Sequence, residues 1–147
     1  MKTVYDKVTR DELIRRINTL QENSTAQWGK MKVYQMVKHC RLWEEMMLGK
    51  KKYDRVFLGR IFGKMALNGM LKNEGPMGRN APTIPALIIK DDGDVSIEKS
   101  KWIVLLEEHA HAWAPDLVHP FFGKLTKEQI GHLVYKHGDH HLRQFNS

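Results

Sequence analysis

The chain has 147 residues, 41% of them hydrophobic, with four tryptophans and a formal net charge of +7. That length suits one domain spanning residues 1–147 with a core of its own, and the composition excludes wholesale disorder. A single cysteine, Cys40, excludes an intrachain disulfide and points to a reduced, cytoplasmic setting.

The opening stretch MKTVYDKVTRDELI is charged throughout and lacks the apolar core of a signal peptide. No apolar run approaches the ~20 residues of a transmembrane helix, so no membrane partner is expected. A basic balance raises the question of nucleic acid. The densest run, LGKKKYDR, falls at an expected helix end, where the helix dipole favours cations without any partner. Neither zinc-finger spacing nor a base-stacking motif accompanies it, so nucleic acid is not the expected partner.

The first helix is expected to start at Thr9, where TRDE reads as a capping box, with Leu13, Ile14, Ile17 and Leu20 at helical spacing. NSTAQWG ends it at about residues 23–29. A second helix is expected over Met31–Leu48, with an apolar stripe of Val33, Met36, Val37, Cys40, Trp43 and Met47. His39 falls on the edge of that stripe.

A third helical segment is expected over Arg55–Leu71, with Phe57, Ile61, Phe62, Met65 and Leu71 as its apolar positions. Gly59, Gly63 and Gly69 weigh against it, each costing about 1 kcal/mol relative to alanine in a helix interior. These apolar and glycine positions suit either the chain's own core or a homodimer contact. The Pro- and Gly-rich stretch that follows reads as a long connection, with ALII as a short extended piece and no partner strand.

A fourth helix is expected over Ser96–Trp113, marked by Ile103, Leu106 and Trp113 with Leu105 beside them. APDLVHPFFGK reads as an aromatic loop. TKEQ is a second capping box, opening a last helix from Thr126 to about Phe145. Four to five helices with two long connections predict an all-α, up-and-down four-helix bundle, an architecture that places metal sites on facing helices.

At about 100° per residue, His137 and His141 fall within about 40° of each other, among Ile130, Leu133 and Val134. Two imidazoles on a buried face are costly unless their nitrogens are satisfied, and a divalent metal satisfies one nitrogen on each. His39 is the best candidate for a third ligand. The plainer alternative is a set of core histidines with ordinary hydrogen bonds. His140 stands at the edge of the face, and Gln144 points inward, able to orient a ligand. His132 is expected in solvent with Lys136, Asp139 and Arg143. His109 and His111, two apart, cannot share one face, and His119 could cover the site or join it. Gly138 occupies the position of the glutamate in HExxH, so no zinc-protease motif is read.

The segments WGKMKVYQMVKHC and HPFFGKLTKEQIGHLVYKHGDHHLRQFN resemble those of the DinB/YfiT-like metalloenzyme superfamily, in a branch of unknown function. The resemblance covers most of the chain, and the C-terminal block is its specific part. It implies a four-helix bundle with a divalent metal held by one histidine of the second helix and an i,i+4 pair of the last. By motif position these are His39, His137 and His141.

A neutral three-histidine set suits zinc or nickel and leaves a coordination position open. Analogy with superfamily relatives implies a transferase acting on a low-molecular-weight thiol. The alternatives are metal-assisted hydrolysis, for which Glu44 or Glu45 is a distant candidate base, and a non-catalytic binding or stress-response protein stabilised by its metal.

Overall fold

Helical periodicity governs the computed structural model, which describes residues 1–147. Five helices run over Lys7–Thr19 (α1), Val33–Met47 (α2), Phe57–Met70 (α3), Val95–Glu108 (α4) and Lys127–Gln144 (α5). Helices α1 and α2 each pack on both α4 and α5, so four helices form a bundle and α3 stands apart from it. The core draws Leu13 and Ile17 from α1, Met36, Val37, Cys40 and Trp43 from α2, Trp102 and Leu106 from α4, and Ile130, Leu133 and Leu142 from α5.

Local chemistry sets most helix starts. Thr126 accepts from the Gln129 amide at 3.2 Å while the Gln129 side chain accepts from the Thr126 amide at 2.9 Å, the expected capping box. Gln35 reaches back to the Lys32 amide in the same way, at 2.9 Å. The capping box expected at Thr9 does not form. Helix α1 begins two residues earlier, Thr9 is buried, and Glu12 pairs instead with Lys2. Helix α4 starts at Val95, where Asp94 accepts from the Ile97 amide at 3.0 Å. It stops at Glu108, so Trp113 lies outside it and is partly exposed, while Trp102 fills the core.

Two further expectations need correction, and one of the two readings of α3 falls away. ALII is extended only in its second half: Pro85–Leu87 forms a 3₁₀ turn that tucks Leu87 into the core, and the backbone is extended at Ile88. The aromatic loop is a hairpin, with β1 (Val118–His119) antiparallel to β2 (Gly123–Lys124). Strands of two residues are too short to leave an alternation in the sequence. In α3 the buried positions are Gly59, Gly63 and Leu67, and the large apolar residues Phe57, Ile61, Phe62 and Met65 face solvent. The glycines let α3 lie against the hairpin backbone: a Cβ at Gly59 would come within 2.5 Å of the Phe121 carbonyl oxygen.

Helix α5 is buried on nearly every side, more than its sequence pattern suggests. The N-terminal segment lies along it, with the Val4 amide donating to the Gly131 carbonyl at 3.1 Å. His132, expected in solvent, is buried and bonds through Nδ1 to the Lys2 carbonyl at 2.9 Å. Asp139 is buried between Arg16 and Arg143, each at 2.7 Å, and Lys136 donates to the Asn73 carbonyl at 2.8 Å. Arg143 itself stays exposed, as expected. A helix with one apolar and one charged face can still be enclosed when its charges find partners on the covering elements.

Candidate metal centre

His39, in the middle of α2, faces the C-terminal half of α5, where His137 and His141 sit one turn apart. All three are buried, and one nitrogen from each lies within 4.8 Å of the others. The fold thus brings together the three residues expected from the sequence, separated by almost a hundred positions.

Hydrogen bonds settle which nitrogen faces the cluster. The Nδ1–H of His39 donates to the Leu87 carbonyl at 2.9 Å, so Nε2 carries the free lone pair. The Nδ1–H of His141 donates to Oε1 of Gln144 at 2.9 Å, freeing its Nε2 likewise. The Gln144 amide is fixed in turn, donating through Nε2 to the Trp28 carbonyl at 2.8 Å. Gly29 permits that approach: its φ is +80°, and a Cβ there would lie 2.8 Å from the Gln144 nitrogen. The ring of His137 stacks on Trp43, with centroids 4.1 Å apart and planes 14° from parallel.

The donor set fits a divalent ion in its spacing. The Nε2 atoms of His39 and His137 are 3.2 Å apart. Two nitrogens on one tetrahedral zinc, each at roughly 2.0–2.1 Å, span about 3.3 Å. The other ring nitrogen of His137, Nδ1, is buried without a partner, so this ring, unlike those of His39 and His141, is not oriented by an Nδ1 hydrogen bond.

Electrostatics keep the cluster neutral. Burial holds His137 well below its ordinary pKa, with His141 and His39 adding to the effect. Burial likewise lowers His141 to about 3, with His39 again contributing. His39 is lowered by burial, and the Leu87 carbonyl partly offsets this. Neutral imidazoles at pH 7 are the form that ligates metals.

His140 and Gln144 stand where the sequence places them, beside the three. His140 meets His141 edge-on, at 5.1 Å between centroids, and meets Trp28 at 5.7 Å. The Arg79 guanidinium lies 4.3 Å above the Trp28 ring. His119 does not join the cluster. Its Nδ1 accepts from the amides of Phe121 and Phe122 at 3.1 and 3.2 Å, its ring stacks on Phe122 at 4.5 Å, and it lies edge-on to Trp43 at 6.4 Å. It therefore helps to wall the site through Trp43.

Both candidate bases are engaged elsewhere. Glu44 is fully buried against His109, at 2.9 Å from Nε2, and Glu45 pairs with Arg41 at 2.7 Å. No carboxylate shares the histidine cluster. Sequence reasoning missed the Leu87 and Trp28 carbonyls, because a backbone acceptor carries no residue signature. It also passed over the stacking role of Trp43, which spacing alone identifies only as apolar.

No curated protein and no solved structure matches the chain. One family does, over residues 5–147: "Protein of unknown function (DUF1569)". That match takes in nearly the whole bundle and all three clustered histidines, and the chain belongs to the DUF1569 family.

Proposed function

We propose that this protein is a divalent-metal-dependent enzyme of the DinB/YfiT-like kind, with zinc or nickel held by His39, His137 and His141. The observation that carries the reading is the convergence of three buried, neutral imidazoles, two of them fixed by Nδ1 hydrogen bonds so that Nε2 faces the cluster. When bound, the ion supplies positive charge at an open coordination position, which acidifies a thiol or water placed there.

The chain's own residues favour thiol chemistry. Hydrolysis by an activated water calls for a general base, and the two candidates on α2, Glu44 and Glu45, are committed to His109 and Arg41. A thiol, with a free pKa of about 8.5 against about 15.7 for water, would release its proton to solvent on binding the ion and needs no such base. Gln144 holds His141 in place from the Trp28 side, while Trp43 and the His119 hairpin screen the His137 side from water. The substrate in this reading is a low-molecular-weight thiol with an electrophilic acceptor.

A metal that only stabilises the bundle is a second reading, favoured by the deep burial of all three histidines. Cobalt substitution separates the two. A thiol at millimolar concentration should produce a sulfur-to-cobalt absorption band in the transferase reading. A cobalt spectrum unmoved by thiols, with a melting temperature that collapses on chelation, would leave only the stabilising role.

A further inference from the structure

We infer that the outer face of α3 is the docking surface for a second copy of this chain, forming a two-fold dimer. Phe57, Leu58, Ile61, Phe62 and Met65 are 73%, 59%, 57%, 47% and 68% exposed. For side chains of roughly 200 Å² each, these fractions expose about 600 Å² of contiguous apolar surface. That is the upper end of what a monomer leaves in water. Pairing two such faces buries about 1,200 Å² in total, the lower bound for a specific interface.

The arrangement is suited to its own image. Phe57, Ile61 and Met65 form one i,i+4 ridge, and Leu58 and Phe62 form a second beside it. Ridges of this kind pack into the grooves of an identical helix, which is the isologous contact of a two-fold dimer. The face is also held outward rigidly. Gly59 and Gly63 clamp the opposite side of α3 to the Phe121–Phe122 backbone, leaving no room for the helix to roll inward.

A lipid surface fits less well as the occupant. Arg60 and Lys64 are the only charged residues of α3, and its inner face is glycine and leucine against protein. A helix that lies on anionic lipid presents a strongly charged polar face instead.

Sedimentation velocity on the full chain between about 1 and 100 µM tests the inference. A dimer is expected in the upper part of that range, and Ile61→Glu should weaken it at least 100-fold without lowering the melting temperature. Should Ile61→Glu disturb folding, Ile61→Cys gives an independent reading. Oxidation should link two copies through that residue, because Cys40 is buried and cannot compete. A wild-type chain that stays monomeric at 100 µM overturns the inference. So does a dimer indifferent to Ile61→Glu, or one that Ile61→Cys fails to cross-link. A monomer that binds vesicles of mixed phosphatidylglycerol and phosphatidylcholine would assign the face to lipid and overturn it too.

Discussion

Replacing Glu44 with glutamine should cost stability rather than metal. Glu44 on α2 and His109 at the end of α4 are both inaccessible to solvent and sit 2.9 Å apart. Removing one member of a buried carboxylate–imidazole pair strands the other, at a cost of about 3–5 kcal/mol. Unfolding entropy near 2.1 cal/mol/K per residue, over a chain of this length, converts each kcal/mol into about 3 °C of melting temperature. Glu44→Leu and His109→Leu should therefore each lower the melting temperature by about 10–16 °C. Glu44→Gln, which keeps an acceptor oxygen, should fall at or below the low end. The double variant should recover much of the loss, since two apolar side chains no longer strand a polar partner. Urea denaturation of the wild type, the two leucine variants and their double completes the cycle, and metal content is measured on these four and on Glu44→Gln. Single variants within 1 kcal/mol of wild type would refute the reasoning. Loss of metal from Glu44→Gln, with stability retained, would return Glu44 to the site chemistry.

Other outcomes follow from the same geometry. Gln144→Leu removes the acceptor that orients His141, and metal affinity should fall about 10–100-fold in competition titrations with a chelator. Unchanged affinity would count against that orientation. Gly63→Ala places a Cβ against the Phe121 carbonyl, and should destabilise by about 1–3 kcal/mol despite alanine's better helix propensity. An equal or higher melting temperature would show that α3 docks more loosely than described.

Acid should weaken the metal-free protein well before its carboxylates titrate. His119 and His141 have folded pKa values depressed by burial to about 4 and about 3. Below about pH 6.5 the unfolded chain takes up protons that the folded chain refuses, so stability is full above that pH and falls as pH drops toward the folded values. At pH 5 each histidine should cost about 2 kcal/mol. Equal urea midpoints at pH 7.5 and pH 5 would contradict this.

Much of the fold was legible because its signals are local. The Thr126–Gln129 box, the stripe of α2 and the i,i+4 histidines of α5 each follow from spacing. His39 was legible too, since its place at the edge of the α2 stripe aims it at the bundle interior. What escaped depends on contacts distant in sequence. His132, Lys136 and Asp139 looked solvated because the pattern of α5 cannot report that the N-terminal segment and Arg16 cover its polar side. For helix α3 the sequence left two readings open, the chain's own core or a contact with a second copy. Its apolar residues imply burial by default, yet it docks through Gly59 and Gly63 and turns the large side chains outward. Glu44 shows the same limit, for no spacing rule pairs it with a histidine 65 positions away.

The central claim is that His39, His137 and His141 hold one divalent ion. Its most direct test is the metal content of untagged protein, measured by plasma mass spectrometry for the wild type and for His39→Ala, His137→Ala and His141→Ala. The account predicts close to one ion per wild-type chain and a loss of most of it in each variant. Full retention of metal by all three variants would contradict the account.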